Sequence, residues 1–219
     1  MDRSPSKIRL LDCALHVFRA KGYAATTVDD ICAAAGVTKG SFFHHFKGKE
    51  DLALEAIAYW NDVTGQLFAQ APYQQVEDPR ERLLAYVDFR AALIKGEVPD
   101  FTCLLGTLVQ DVFETNPALR DACDAGIRAH AFDVARTVEA AKALYAPDAN
   151  WDAKSLALYT QAALQGAFVL AKAKNSMKPA LDSVTHLRRY IEMLLPEKPT
   201  AKTARSAGKR VSSTKERRK

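Results

Sequence analysis

Residues 26–46 read TTVDDICAAAGVTKGSFFHHF, and this stretch decides how the rest of the chain is read. Thr27 is placed to cap a helix, because its hydroxyl can accept from a free backbone N–H at the helix start. Asp29 and Asp30 follow in the first turn, where the helix dipole favours negative charge. Val28, Ile31 and Cys32 recur at helical spacing and face a core. Gly36 stands where a helix end takes positive φ. Val37 packs under the turn, Thr38 caps a second helix, and that helix carries Lys39, Gly40, Ser41, Phe42, Phe43, His44, His45 and Phe46. A small residue, Cys32, four positions before the turn glycine lets the two helices cross closely. Polar groups gather at the N-terminal end of the second helix, the end that enters the major groove in a DNA-reading helix-turn-helix.

The chain has 219 residues, 48% of them hydrophobic, which is enough for a sizeable core. No apolar run approaches the ~20 residues that span a bilayer. The opening MDRSPSKIRL has no apolar segment of the signal-peptide kind, so a cytoplasmic protein with no membrane partner is expected. Cys13, Cys32, Cys103 and Cys123 show no paired spacing and read as reduced thiols. The formal charge of +5 is uneven: net +3 over residues 1–50, −5 over 51–195 and +7 over 196–219. A basic head and tail about an acidic body suit a protein that meets a polyanion at its ends.

Going outward from the central stretch, a first helix is expected over residues 6–21, capped by Ser6 and ended by Gly22, with Ile8, Leu11, Ala14, Leu15 and Phe18 as its stripe. Lys7 and Arg9 lie at its DNA-proximal end. A fourth helix opens at Gly48 and reaches about residue 69, starting in the head and running into the body. PYQQVEDP reads as a polar loop and GEVPDF as a break. Further helices are expected over residues 80–95, 102–115, 118–144, 152–174 and 179–195. The fold class is all-α: a three-helix head over residues 6–51, a larger helical body over 52–195 and a basic disordered tail over 196–219, with about nine helices and no β-alternating run.

The head resembles the DNA-binding segment of the TetR/AcrR family of bacterial transcriptional regulators over residues 6–57. The rest of the chain matches that family in length and helix rhythm. Two departures stand out, Cys32 where the family has alanine and Phe43 where it has a tyrosine whose hydroxyl commonly touches a phosphate. Phe43 is left with an apolar contact. On this resemblance Thr27, Lys39, Ser41, Phe43, His44 and Lys49 match the family's DNA-contacting positions, and Val28, Thr38, Gly40, Phe42 and Lys47 are nominated beside them for operator DNA. Lys39 can reach a guanine edge or a phosphate, and Lys49 at a helix start suits a phosphate. His45 is read as a core or backbone contact.

The resemblance also implies an inducer pocket, for which Phe89, Leu93, Cys103, Thr107, Gln110, His130 and Phe168 are nominated, with a small hydrophobic or electrophilic ligand. Cys103 lies in DFTCLLGTLVQD, similar to a GCLLGNL-like segment of a subgroup in which some members sense electrophiles through a thiol; here Thr102 replaces the preceding glycine. The last two helices carry stripes at steps of three and four: Leu156, Tyr159, Ala163, Gly166 and Leu170, then Val184, Leu187, Ile191 and Leu194. These fit either the chain's own core or a four-helix homodimer interface, and a dimer would set two heads about 34–36 Å apart on successive major grooves.

Three functions are weighed: a homodimeric ligand-responsive repressor, an architectural DNA binder driven by basic head and tail, and an enzyme. The third lacks support, since no nucleophile elbow, phosphate loop or metal-ligand spacing occurs, and His16, Asp111 and His130 are scattered. No cofactor, metal or catalytic residue is expected.

Overall fold

The computed structural model describes residues 4–197, which are helical with no strand among them. The head contains α1 (Pro5–Lys21), α2 (Val28–Ala35) and α3 (Lys39–His45). The long α4 (Lys49–Ala69) leads into the body, followed by a 3-10 turn (Pro72–Gln75) and α5 (Pro79–Ala92). Then come α6 (Val98–Phe101), α7 (Leu104–Val112), α8 (Pro117–Tyr145), α9 (Ala153–Lys174) and α10 (Lys178–Leu194). Of the expected basic tail, residues 198–219 lie outside the described residues.

Local chemistry explains the boundaries. Asp78, Asn116 and Asp152 cap α5, α8 and α9 with their side-chain oxygens, accepting from Glu81 N at 3.0 Å, Leu119 N at 3.0 Å and Ser155 N at 2.6 Å. Asn175 ends α9 at φ 45°. The first helix is capped by Ser4 rather than Ser6, and the Ser6 hydroxyl instead meets His45 Nε2 at 2.7 Å, joining α1 to α3. The structure has ten α-helices rather than nine among the described residues. The extra one is α6, where the GEVPDF break winds one turn because Glu97 and Asp100 form a reciprocal capping box, with Pro99 in the first turn. The PYQQ segment likewise forms a 3-10 turn, held by burial of Tyr73.

Two apolar clusters form. One fills the body, from Leu83 and Val87 through Val138 and Leu164 to Ile191. The other fills the head but does not close on itself: Leu10, Phe18, Ile31, Phe42, Phe46 and Leu52 share it with Leu104, Leu108, Leu119 and Cys123 of the body. Polar bonds add register at this joint. Arg19 Nη1 donates to the carbonyls of Asp100 and Thr102 at 2.9 and 3.4 Å, and Asp111 Oδ2 accepts from Tyr23 N at 2.7 Å.

The nominated dimer stripes are partly corrected. Leu156, Val184, Leu187 and Ile191 are buried in the body core, and Ala163 and Leu194 pack against it. Steps of three and four mark any buried face, whether its neighbour belongs to the same chain or to another. Tyr159, Gly166 and Leu170 do lie outside, on an exposed stripe with Leu158, Ala162 and Val169 of α9 and Tyr190 and Met193 of α10.

Gly22 sits at φ 82°, and a Cβ there would collide with Asp111 Oδ2. Gly22→Ala should therefore cost about 1–3 kcal/mol from backbone strain, read as a lower urea midpoint. An unchanged midpoint would show that this joint is slack.

Candidate nucleic-acid interface

The turn between α2 and α3 follows from its residues. Thr27 and Asp30 form a capping box: Thr27 Oγ1 accepts from Asp30 N at 3.1 Å, and Asp30 Oδ2 accepts from Thr27 N at 2.9 Å. The Lys21 ammonium bonded to Asp30, with the Thr27 bonds behind it, holds that carboxyl well below the usual carboxylate range. Gly36 takes φ 62° and ψ 38°, the left-handed region, and Val37 N donates to Cys32 O at 3.0 Å. Thr38 Oγ1 then accepts from Ser41 N at 3.2 Å and starts α3.

On α3, adjacent phenylalanines divide the work. Phe42 is 0% exposed and packs at 5.5 Å from Phe46, centroid to centroid. Its place in the DNA set is thereby corrected: its ring anchors the helix, and truncating such a ring to alanine costs about 3–5 kcal/mol. Phe43 is 57% exposed, edge-on to Phe42. Thr27, Thr38, Lys39, Gly40, His44 and Lys47 are also exposed, and Ser41 is half-exposed. Val28 is half-buried against the head core, which leaves it a packing role.

The cations differ in availability. Lys39 is paired with Asp29 at 2.8 Å, and both side chains are exposed. Exposed pairs are weak and yield readily to a phosphate. Lys47 has no ion pair among the described residues. Lys49 is not a free phosphate contact: its Nζ donates to Tyr23 O and Thr26 O, each at 2.9 Å, and lies 4.3 Å from the Tyr23 ring centroid. It fastens the start of α4 to the α1–α2 loop. Lys7 is likewise paired with Glu55 at 2.7 Å.

A half-open cavity of about 460 Å³ lies in the body where α1 meets it. Leu93, Cys103, His130 and Phe168 of the nominated set line it. Phe89, Thr107 and Gln110 lie outside the wall. Phe89 packs on Phe68 and Tyr73. The Thr107 hydroxyl accepts from Lys172 Nζ at 2.7 Å, and Gln110 Nε2 donates to Gly106 O at 2.6 Å. Sequence reasoning missed Trp60, Phe101, Gln161 and two arginines, Arg19 and Arg90. The available signal at Arg90 was a cation one helical turn after buried Tyr86, in register with an apolar stripe. Gln161 Nε2 donates to Tyr86 Oη at 3.1 Å, and Tyr86 Oη lies 3.0 Å from His130 Nε2. Burial, and then the neighbouring Arg90 charge, push the His130 pKa down to about 3, so the ring is neutral.

With this geometry in hand, comparisons with known proteins agree in one direction. Residues 10–56 match the model of bacterial regulatory proteins of the tetR family, and residues 79–187 match that of the tetracyclin repressor-like C-terminal domain. YxaF, an uncharacterized HTH-type transcriptional regulator of Bacillus subtilis, is 29% identical over 122 residues, 55% of this chain and 63% of that protein. The HTH-type transcriptional repressor KstR2 of Mycolicibacterium smegmatis is 41% identical over 78 residues, 34% of this chain and 36% of its own length. The chain thus spans less than two thirds of the length of these relatives. Among solved structures, the regulatory protein TetR from Rhodobacter sphaeroides superimposes with a TM-score of 0.73 at 25% identity, over 85% of this chain and 99% of that one.

The depressed His130 pKa has a signed consequence. Below about 6.5 the unfolded chain takes up a proton that the folded chain refuses until about pH 3, so stability is present above 6.5 and falls as pH drops through that window. His130→Gln should flatten this part of the stability–pH curve measured by urea unfolding. An unaltered slope would place the titrating group elsewhere.

Proposed function

Since the chain belongs to the tetR family of bacterial regulatory proteins, we propose that it is a ligand-responsive repressor in the cytoplasm, acting as a homodimer on double-stranded operator DNA. The observation that carries this is α3 itself. A fully buried Phe42 fixes the helix in the head, while Phe43, Lys39 and His44 face outward from it and exposed Lys47 follows its C-terminal end. The Phe43 ring meets Phe42 only by its edge and leaves most of its surface exposed beside exposed cations, which fits a sugar–phosphate edge. Lys39 exchanges Asp29 for a phosphate or base on binding, and Ser41 adds a hydrogen bond. Loss of counterions from the DNA makes the affinity fall with salt.

The exposed apolar stripe on α9 and α10 supports a second copy as partner. Met193 is 79% exposed and Leu170 53%. Gly166 faces open space, with nothing within 4 Å of where a Cβ would stand, which lets a neighbouring helix approach closely. Two helices from each subunit then make a four-helix bundle.

The cavity supports the ligand response. Arg19 belongs to α1 of the head and also forms part of the cavity wall, over the Trp60 ring at 5.1 Å. A ligand that moves Arg19 or Trp60 acts directly on the joint between head and body. Cys103 is on the same wall, where an electrophile would meet its thiol.

Lys39→Ala and Ser41→Ala should each weaken binding to a selected operator duplex roughly 5- to 150-fold, the range of about 1–3 kcal/mol per base or phosphate contact, with unfolding unchanged. Operator affinity equal to that of the unaltered protein would overturn the assignment of α3. Gly166→Trp should convert the dimer to a folded monomer in sedimentation; a surviving dimer would move the interface off α9.

A further inference from the structure

The cavity wall is apolar over most of its extent, through Trp60, Leu67, Phe68, Leu93, Phe101 and Phe168. Its charges do not balance. Arg19, Arg90 and Lys95 reach it against one carboxylate, Asp100. That carboxylate is engaged elsewhere: its Oδ2 accepts from Glu97 N at 2.9 Å to close the α6 cap, and its Oδ1 lies 3.6 Å from His16 Nδ1. Arg19 is held by three carbonyls, with Nε on Leu15 O at 2.9 Å and Nη1 on Asp100 and Thr102.

Arg90 is different. It is half-buried and has no ion pair among the described residues. Its hydrogen bonds are long, from Nη1 to Tyr86 Oη at 3.4 Å and to His130 Nε2 at 3.3 Å, and its guanidinium sits 5.2 Å from the Phe68 centroid. His130 cannot serve as its counter-ion. A guanidinium carries five donors in a planar fork, and taking it partly out of water without an anion is unfavourable. Ring stacking on Phe68 and two long bonds offset part of that cost. An anion in the cavity would offset much more, and a carboxylate matches the fork with two parallel bonds.

We propose that the cavity takes an amphipathic monoanion, a carboxylate on an apolar body, with Arg90 as its anchoring cation. The body lies along the aromatic and leucine wall. Gln161 borders the anion's place on the wall, and behind it buried Tyr86 accepts from Gln161 Nε2 and from Arg90 Nη1. Lys95 is exposed at the rim and attracts the anion inward. The inference rests on the ligand-responsive reading above and names the chemical class of its ligand.

Trp60 supplies a reporter, since it lines the cavity and the chain's other tryptophan is Trp151. The full chain carrying Trp151→Phe is titrated with decanoate and phenylbutyrate, each against the alcohol of the same skeleton, while Trp60 emission is followed. Each carboxylate should bind about tenfold more tightly than its alcohol, the advantage of a hydrogen bond to a charged group. Arg90→Met should keep alcohol binding and abolish the preference, and Arg90→Lys should retain part of it. The proposal is overturned if the alcohols bind equally well, if Arg90→Met leaves the preference intact, or if no carboxylate alters Trp60 emission. Operator binding is followed in the same samples. Release of DNA by the alcohols alone would keep the regulator and reject the ligand class, whereas no operator binding without ligand would reject the regulator itself.

Discussion

The packing of α1 against α6 and α7 is the constraint on which the rest of the molecule depends. Leu104, Leu108 and Leu119 of the body are fully buried in the same cluster as Leu10, Phe18 and Phe42 of the head. Each such side chain contributes about 1.5–3 kcal/mol on burial, against about 1.5–3 kcal/mol for a hydrogen bond involving a charged group such as Arg19. There are many of the first and few of the second, so apolar packing holds the joint. Arg19 and Asp111 give it a register, because each meets particular backbone atoms across the joint. The head is therefore not a bead on a string: α1 packs directly on α6 and α7, and Arg19 lies over the Trp60 ring.

The same economy governs α3. A seven-residue helix is too short to be stable alone, and it exists because Thr38 caps it and Phe42 and Phe46 bury beneath it. Only then can its other face carry Lys39, Phe43 and His44 into solvent. Lys49 shows the other side of this arrangement, with its ammonium used to tie α4 to the α1–α2 loop. A charge at a helix start serves the fold or the nucleic acid depending on which carbonyls come within reach, and spacing along the chain does not record that.

This explains what could be read from residues alone. The helix-turn-helix was legible because Thr27, Gly36 and Thr38 act locally, through caps and one left-handed residue. The body helices were legible from their apolar steps and from the breaks between them, while the caps that set their starts, Asp78, Asn116 and Asp152, emerged only with the structure. The fate of an apolar stripe was not, since Leu156 and Leu170 obey the same periodicity yet one lies in the core and the other outside. Nor was the cavity fully legible. Leu93, Cys103, His130 and Phe168 were found among apolar positions, but Arg19 and Arg90 reach it across long sequence separations. The one-turn α6 was hidden by Pro99, a residue that breaks a helix interior but is welcome in a first turn.

We propose that the exposed face of α3 reads a defined DNA site in a dimer. It is tested most directly by footprinting the full chain, and a chain ending at residue 197, on the DNA flanking its own gene. A discrete, near-palindromic protected region that persists without residues 198–219 is expected. Protection that is diffuse along the duplex, or that vanishes with the basic tail, would contradict it and leave an architectural, charge-driven DNA binder in its place.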